Sequence, residues 1–496
     1  MSSQPPSVLV RHAAVIYPCA RRNEEPIVGG WLRIDGARIT ALGPEPCPWD
    51  VADVTIDGRG KAVIPGLVNV HHHFWQSLTR AVPAGRSQWG VGWLRSMYPL
   101  WQELDADAMH AGAQLAAAEL VLTGATTSAD FAYLYPDGRE DLLDIEVAAV
   151  RELGLRLHVV RGCTPILEKD ITAELASVPG IHTIRLTETS AEIVAACERA
   201  LGRYHDPAPL AMCRIAFGPT AIPFHDTDLL EALVRLSDEG RCGRHVHLQP
   251  RPDEVQRCLE LHGCRPSEFL RRVGWLGPTS WLAHATMHTD EDVRVIAATG
   301  SGVAHCMSQN MRLGYPAGPI PAMLAAGVPV GVGVDGGASN DGGSMLGELR
   351  MVHLVHRLPG LQPDYPPERW LTPHDVLWMA TRHGAAILGR DDIGRLAAGC
   401  AADVAVIDLR QVGYAGGLHD PLATLLMAGD STVVDTTIVN GTIVVRDGRL
   451  TRVSQARVVD EANRMSAAMV RRATARTGLT FGSLAPRLVD LGAPAR

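Results

Sequence analysis

A long alternation of short apolar runs and longer amphipathic segments, between residues 64 and 389, constrains the fold more than any other feature of the chain. Short apolar runs bounded by turn residues are typical of buried parallel strands, and the amphipathic segments are typical of the helices that connect them. An alternation of this length fits a closed barrel. We therefore predict an α/β fold with a (β/α)8 TIM-like barrel over residues 64–389. The prediction rests on strands at 64–70, 155–160, 215–218, 245–248, 280–284, 302–305 and 328–335, and on a helix at 108–123.

Both ends of the chain consist of short strand-like runs separated by turns. The expected strands before the barrel cover residues 7–17, 31–35, 38–42 and 54–57, and those after it cover 403–408, 433–439 and 441–445. Asp-Gly and Asn-Gly pairs between these runs are turn signals. We predict one small β-sandwich domain built from residues 1–63 and 390–455. A helix over 458–474 and a tail then form a C-terminal segment, residues 456–496.

The composition restricts the class of protein and its partners. The 496 residues are 46% hydrophobic and 20% charged, so a sizeable core is feasible, and the net charge of −8 argues against nucleic acid or an anionic membrane as the main partner. The sequence has neither a membrane-spanning apolar stretch nor a signal-peptide pattern. Its ten cysteines form no CxxC pair, which is typical of reduced thiols. We expect a cytoplasmic protein.

A pair of histidines closes the first expected barrel strand. The segment 65–73 reads Pro-Gly-Leu-Val-Asn-Val-His-His-His, and side chains alternate along a strand, so His71 and His73 face the same way and His72 faces the other way. Two imidazoles on one face suit a divalent metal. A solvated histidine cluster is the alternative for an isolated His-x-His, but the buried apolar strand before this one favours metal binding.

Later expected strands end in the same types of residue. His247 and His284 each lie at the end of an apolar run, and Asp335 terminates an entirely apolar strand. A single histidine at a strand end is more often structural than a ligand. Several of them, together with a carboxylate, would meet at the C-terminal face of the barrel, where barrel enzymes build their active sites.

These motifs resemble the amidohydrolase superfamily over nearly the whole chain. The resemblance rests on segment 65–73, on the Asp-Gly-x-x-Ser-Asn pattern at 335–340 and on the Ala-Asp-Val-Ala strand at 402–405. Finer motifs are similar to the purine and pterin deaminase branch, 8-oxoguanine deaminases in particular. They are QSLTRAVP at 76–83, Arg-Gly at 161–162, GVAHC at 302–306 and VGYAGGLHDP at 412–421.

The resemblance implies a ligand set and a mechanism. His71, His73, His247 and Asp335 would hold one divalent metal, Zn²⁺ or, as in some relatives, Fe²⁺. Asp335 would accept a proton from the attacking water, and His284 would hydrogen-bond that water. The attack would fall on a ring carbon that bears an amino group, and ammonia would leave. The resemblance also implies a homo-oligomer.

The resemblance further assigns substrate contacts to Gln76 and Arg161. An amide side chain offers a donor and an acceptor, and a guanidinium suits a polarised ring carbonyl. The alternatives are that Gln76 caps a helix and that Arg161 pairs with a barrel carboxylate. Four aromatic residues after the first strand either stack on a flat heterocycle or pack their loop onto the barrel or a partner subunit. They are Trp89, Trp93, Tyr98 and Trp101.

The sequence departs from this branch at one position. Its members carry His-x-x-Glu at the fifth strand, where the Glu shuttles a proton to a ring nitrogen, but the position three residues after His247 is Pro250. Three explanations stay open. A neighbour (Gln249, Asp253 or Glu254) reaches the ring through an altered turn, the substrate needs no ring protonation, or the ancestral activity has been lost or exchanged.

We predict metal-dependent hydrolytic deamination of a purine- or pteridine-like heterocycle. The first alternative is a hydrolase of the same fold that cleaves a C–Cl bond, a cyclic amide or another C–N bond of a nitrogen heterocycle. The second is a catalytically inactive relative that still binds metal.

Overall fold

The computed structural model describes residues 5–164, 175–181, 185–220, 226–358, 365–428 and 433–482. The first five strands are β1 (Val8–Ile16), β2 (Ile27–Asp35), β3 (Arg38–Pro44), β4 (Val54–Asp57) and β5 (Lys61–Pro65). The next eight are β6 (Leu67–Asn69), β7 (Ala125–Ala132), β8 (Arg156–Cys163), β9 (Cys213–Pro219), β10 (Gly243–Leu248), β11 (Ser280–His284), β12 (Gly302–His305) and β13 (Val330–Val332). The last four are β14 (Val404–Asp408), β15 (Thr436–Val439), β16 (Thr442–Arg446) and β17 (Arg449–Leu450).

Helices connect the strands and cover the barrel. Those of the first half are α1 (Gly90–Trp101), α2 (Ala106–Leu122), α3 (Asp141–Leu153), α4 (Ser190–Tyr204) and α5 (Thr227–Gly240). Those after β10 are α6 (Pro252–His262), α7 (Pro266–Arg272), α8 (Asp290–Thr299), α9 (Met307–Leu313), α10 (Ile320–Ala325) and α11 (Met345–Val355). The last are α12 (Pro373–Trp378), α13 (Gly384–Ile387), α14 (Pro421–Met427) and α15 (Gln455–Thr477). No helix in the described parts of the chain is both long enough and apolar enough to cross a membrane.

Strands β6 to β13 close into a barrel in which every neighbouring pair is parallel. The prediction of a (β/α)8 TIM-like barrel is confirmed. The sequence analysis missed β7, because its residues Ala-Thr-Thr-Ser-Ala-Asp-Phe-Ala form no apolar run although all of them are buried. Small side chains fill a barrel interior without producing the hydrophobic signal on which the prediction relied.

The expected first barrel strand, residues 64–70, is divided between two sheets. Pro65 ends β5 and pairs antiparallel with Val404 of β14, whereas Leu67 begins β6 and pairs parallel with Ala125 of β7. Gly66 stands between them, and a Cβ there would lie 2.2 Å from the Thr126 side chain. Only glycine allows the chain to leave one sheet and enter the other at this point.

The strands outside the barrel come from both ends of the chain and form one hydrogen-bonded sheet. Its order is β17-β16-β15-β14-β5-β1-β2-β3, with β4 paired to the first half of β1. The sheet has its own buried cluster, separate from the barrel core, which includes Val10, Ile34, Val63, Val406 and Ile438. The association of the two chain ends is therefore present. The division into domains and the name β-sandwich stay predictions, and β5 continues the sheet to Pro65.

A buried ion pair joins this sheet to the bottom of the barrel. Arg156 begins β8, and its Nη2 lies 3.0 Å from Oδ1 of Asp403, which immediately precedes β14. Asp403 also accepts a hydrogen bond from the backbone N–H of Asn440 at 2.7 Å. On the other side of the barrel, α15 packs along α2, and its Arg476 pairs with Glu103 at 2.6 Å.

Candidate active site

Five predicted side chains meet at the C-terminal face of the barrel. His71 and His73 follow β6, His247 lies in β10, His284 ends β11 and Asp335 follows β13. Nε2 of His73 lies 3.1 Å from Nε2 of His247 and 3.3 Å from Oδ1 of Asp335. Nε2 of His71 is 3.5 Å from the same carboxylate oxygen, and Nε2 of His284 is 4.0 Å from Oδ2. The barrel thus brings together residues that are up to 264 positions apart in the sequence (from 71 to 335).

In His73 and His247, the hydrogen bond of the outward-facing nitrogen determines which ring nitrogen carries the proton. Nδ1 of His73 contacts the carbonyl oxygen of Phe131 at 2.8 Å, and Nδ1 of His247 contacts that of Thr220 at 2.6 Å. Because a carbonyl oxygen only accepts, each Nδ1 carries the proton and each Nε2 carries a lone pair. Two lone pairs 3.1 Å apart cannot hydrogen-bond to each other, so this arrangement fits a cation between them.

A further histidine orients His71 in the same way. Nδ1 of His245 donates to the carbonyl oxygen of Trp281 at 2.8 Å, which leaves Nε2 of His245 to accept from Nδ1 of His71, also at 2.8 Å. Nε2 of His71 then faces the centre and has no hydrogen-bond partner among the described residues. The sequence analysis did not single out His245, although His245 and His247 repeat the His-x-His spacing of His71 and His73.

Burial keeps the imidazoles neutral. It lowers the pKa of His71 and of His73 well below the usual value, and that of His247 to about 4. Burial alone would raise the pKa of Asp335, but His73, His284 and His247 outweigh it and lower that pKa. At neutral pH the centre therefore holds neutral imidazoles and a carboxylate, which is the protonation state that binds a divalent metal.

The backbone at the centre is held in an uncommon conformation. His284 has φ 74° and Asp335 has φ 60°, both in the left-handed region that non-glycine residues seldom adopt. The N–H of Gly336 donates to Oδ1 of Asp335 at 2.6 Å, and a Cβ on Gly336 would lie 2.0 Å from Oε1 of Gln76. Such strain persists where the surrounding structure imposes it, and it is common at functional sites.

A cavity opens onto this centre, with about 690 Å³ of empty space that includes its opening to solvent. His73, His247, His284 and Asp335 line its base. The remaining wall residues include Gln76, Tyr133, Trp93, Leu94, Tyr98, Pro250, Arg251, Glu254 and Tyr315.

The two predicted substrate contacts occupy different places. Gln76 lines the cavity, and its buried Oε1 has no hydrogen-bond partner within the described residues. It lies in a short 3-10 helix, Phe74–Thr79, whose N-terminus has no side-chain cap. Arg161 is not among the residues that line the cavity. Its guanidinium pairs with Glu188 at 2.5 Å and lies 3.9 Å above the ring of Tyr135. This matches the alternative in which Arg161 pairs with a carboxylate, and its role at the substrate stays a prediction.

The four aromatic residues divide in the same manner. Trp93 and Tyr98 project from α1 into the cavity wall. Trp101 is buried beneath them, with its ring centroid 5.3 Å from Trp93 and 5.5 Å from Tyr98. Trp89 is 67% exposed. Trp101 packs its segment onto the core, whereas stacking of Trp93 and Tyr98 on a heterocycle stays a prediction.

Pro250, at the position of the branch's Glu, lines the cavity. Of its three neighbours that were considered as replacements, Glu254 also lines the cavity. Asp253 is directed to Arg251 and is half exposed. Gln249 has φ 53° and is fully buried, with no hydrogen-bond partner for its side-chain amide in the described ranges. Of the three neighbours, Glu254 is therefore the one that lines the cavity, and a role for it in place of the branch's Glu stays a prediction.

Comparisons with known proteins identify the family of this chain. The pattern of the amidohydrolase family matches residues 62–444. The chain is 37% identical to 8-oxoguanine deaminase of Pseudomonas aeruginosa, over 89% of this chain and 95% of that protein. It is 32% identical to isoxanthopterin deaminase of an unknown prokaryotic organism, over 94% and 98%. A solved structure of atrazine chlorohydrolase from Arthrobacter aurescens, complexed with zinc, matches with a TM-score of 0.85 and 32% identity, over 92% of this chain and all of that one. The chain belongs to the amidohydrolase family.

Proposed function

We propose that this protein hydrolytically deaminates a purine- or pteridine-like ring of the 8-oxoguanine type, and that it uses one divalent cation, zinc or alternatively Fe²⁺. The observation that carries the proposal is the convergence of three Nε2 lone pairs and one carboxylate at the base of a cavity. His71, His73, His247 and Asp335 would hold the cation. The deaminases among the relatives support the choice of reaction.

The chain's own residues supply positioning and proton transfer. His71, His73, His247 and Asp335 would hold the cation, which would supply a water of lowered pKa, towards about 7. Asp335 accepts the proton of the attacking water, and neutral His284, 4.0 Å from the other oxygen of that carboxylate, orients the water. The amide of Gln76 hydrogen-bonds to the ring and holds its amino-bearing carbon towards the centre. The proton then passes to the departing amino group, and ammonia leaves.

Pro250 cannot transfer a proton, so the reaction needs another route. Asp335 and His284 are the ionisable groups near the attacked carbon that are able to collect and return the proton. We infer that this pair performs both transfers. The substrates that suit such a site are rings that accept hydroxide without strong protonation of a ring nitrogen.

Ammonia release from guanine, 8-oxoguanine, pterin and isoxanthopterin tests the proposal. We expect turnover with at least one of them, its loss on chelation and its return with Zn²⁺. Asp335→Asn should lower kcat by roughly 10²- to 10⁴-fold, the usual contribution of a general acid or base. The exposed Asp290→Asn is the matched control. Absence of turnover with all four compounds would contradict the proposal, and bound metal without any turnover would favour the inactive alternative.

A second candidate is hydrolysis of a different bond of a nitrogen heterocycle, such as a C–Cl bond, a cyclic amide or another C–N bond. Pro250 favours it, because a better leaving group reduces the need for ring protonation, and the structurally similar atrazine chlorohydrolase is named for such a reaction. Chloride release from a chlorotriazine, with no ammonia from the four amino heterocycles, would identify it.

We further propose that the protein works in the cytoplasm as a homo-oligomer, with the small heterocycle as its partner and without nucleic acid or membrane. The resemblance to the deaminase branch and the net charge of −8 support this proposal. Sedimentation of the purified protein measures the number of subunits.

A further inference from the structure

A pair of opposite charges that is not part of the proposed metal centre lies in the cavity wall. Arg251 immediately precedes α6 and Glu254 lies in its first turn, and both line the cavity. Arg251 is 6% exposed and Glu254 is 2% exposed, with Nη2 of the arginine 3.5 Å from Oε1 of the glutamate. Burying two charged groups is costly, so their place in a substrate cavity requires an explanation.

The arginine is held in position by its neighbours. Asp253 accepts from Nε and Nη2 of Arg251, with N···O distances of 3.0–3.1 Å. Pro250 and Pro252 restrict the backbone on both sides of it. A Cβ on Gly90 would lie 3.7 Å from Cδ of Arg251, so the stem of the arginine packs beside the start of α1. The guanidinium is thus preorganised and not a mobile surface group.

The charged pair lies in the cavity lining together with Tyr315 and Gly90. The stem of Arg251 packs beside Gly90, and the charges of Arg251 and Glu254 act on the phenol of Tyr315, whose pKa is raised to about 12 mainly by burial. His73, His247, His284 and Asp335 line the same cavity. A ring held with its amino-bearing carbon at these four side chains leaves its other edges to the remaining lining residues.

A guanidinium N–H beside a carboxylate presents a donor next to an acceptor. The complementary ligand edge is an acceptor next to a donor, and a lactam, C=O beside N–H, has that pattern and is uncharged overall. We propose that Arg251 and Glu254 determine substrate specificity by binding a lactam in the ring fused to the one that bears the amino group. The arginine donates to the carbonyl oxygen, and the glutamate accepts from the adjacent N–H. This inference rests on the proposed function, because the deamination site sets the direction of the ring.

Compounds in matched pairs make the inference measurable. 8-Oxoguanine carries this lactam in its five-membered ring and guanine does not. Isoxanthopterin carries it in its second ring and pterin does not. We expect kcat/KM to favour the lactam member of each pair. Arg251→Met should reduce that preference about 10- to 100-fold, which is the effect of losing a hydrogen bond to a charged group. The change should come from a lower kcat/KM for the lactam compound.

A second variant removes the acceptor. Glu254→Met retains the size of the side chain, and we expect the same loss of preference, with kcat/KM falling more for the lactam member of each pair than for the other member. Arg257→Met and Glu260→Met are matched controls. These two residues form a similarly spaced ion pair on the same helix, at 3.2 Å, but face solvent. Neither control variant should change the preference.

Binding without turnover separates this inference from the proposed function. Urate carries the lactam and xanthine lacks it, and their dissociation constants can be measured by calorimetry on the metal-loaded enzyme. Tighter binding of urate that is lost in Arg251→Met supports the inference even if none of the four compounds is deaminated. Equal weakening of both ligands, an unchanged preference in both variants, or loss of kcat on all compounds in Glu254→Met would overturn it.

Discussion

Single protons decide the chemistry of the histidine cluster. The carbonyl oxygens of Phe131 and Thr220 accept from Nδ1 of His73 and of His247, and so keep the proton on that nitrogen. Nε2 of His245 accepts from Nδ1 of His71 in the same way. His245 differs from the two carbonyl groups because its own proton must first be placed by Trp281. Groups behind a ligand histidine that fix its ring commonly contribute 10- to 100-fold to metal affinity.

The first prediction concerns the hydrogen bonds from His71 through His245 to Trp281. His245→Phe keeps a flat ring to stack on Trp281, whose indole lies 4.6 Å from the imidazole, but removes the acceptor for His71. We expect metal affinity to fall about 10- to 100-fold, as measured by competition with a chelator. The fold should persist. An unchanged affinity would show that His71 needs no such partner.

Among the helices, the N-terminus of α8 supports the loop that follows His284. Thr289 and Asp292 form a capping box there, and Asp292 also pairs with Arg265 at 2.7 Å. Arg265 donates in turn to the carbonyl oxygen of Met287 at 2.8 Å. The network therefore holds the segment between His284 and α8. The stability of the fold and the position of His284 are connected through it.

The second prediction is the pH dependence of this network. Burial alone would raise the pKa of Asp292, but Arg265, Ser267 and the N–H of Thr289 lower it from 3.8 to about 2. A depressed pKa stabilises the folded state above the unfolded value, and this contribution is lost as pH falls from about 4 towards 2. Asp292→Asn should cost about 2 kcal/mol at pH 7. Thermal unfolding at pH 7, 5 and 3.5 should show a constant difference from the parent at the first two and a smaller one at the last.

Helix α1 forms the aromatic wall of the cavity, and two of its tryptophans allow a matched comparison. Trp93 is buried and lines the cavity, whereas Trp89, at the N-terminal boundary of the helix, is exposed. Trp93→Ala should lower the free energy of unfolding by about 3 kcal/mol, because a buried ring is lost. It should also raise KM roughly tenfold, because that ring lines the proposed substrate cavity. Trp89→Ala should change neither by a measurable amount. Thermal unfolding and steady-state kinetics check both variants, and an equal effect of the two substitutions would refute this assignment of the wall.

At the scale of the whole molecule, the terminal sheet and the barrel depend on each other. The Arg156–Asp403 pair is buried and has further hydrogen bonds to the backbone at Leu210, Ala211 and Asn440. It lies at the N-terminal end of β8, which is the face of the barrel opposite the candidate metal centre. Residues at this face of a barrel typically serve stability and not chemistry.

The last prediction tests whether the Arg156–Asp403 pair contributes to stability and not to chemistry. Asp403→Asn leaves Arg156 buried without its counter-charge and should lower the free energy of unfolding by about 3 kcal/mol, with kcat per folded molecule unchanged. The control is Asp57→Asn, which breaks the solvent-exposed pair of Asp57 with Arg59 in the same sheet and should have little effect. A large drop in kcat in Asp403→Asn would instead show that the sheet acts on the active site.

The barrel, the association of both chain ends and the set of side chains that meet at the candidate metal centre could all be predicted from the sequence. These follow from local signals: hydrophobic runs, the two-residue period of a strand, and residue types at strand ends. The prediction from sequence missed β7, because Ala, Ser and Thr can fill a barrel interior without an apolar run. It also treated residues 64–70 as one strand, because a change of sheet at Gly66 depends on the proximity of Thr126, which no local pattern records.

The partners of the remaining polar residues follow only from the packing of the folded chain. Arg161 pairs with Glu188, and His245 hydrogen-bonds to His71. Of the neighbours of Pro250 that were considered, Glu254 lines the cavity, whereas Gln249 and Asp253 do not. Each outcome depends on the direction of a side chain relative to partners that are distant in the sequence or lie across a turn. The physical reason is that buried polar groups must find partners, and which partner is within reach is set by the packing of the whole barrel.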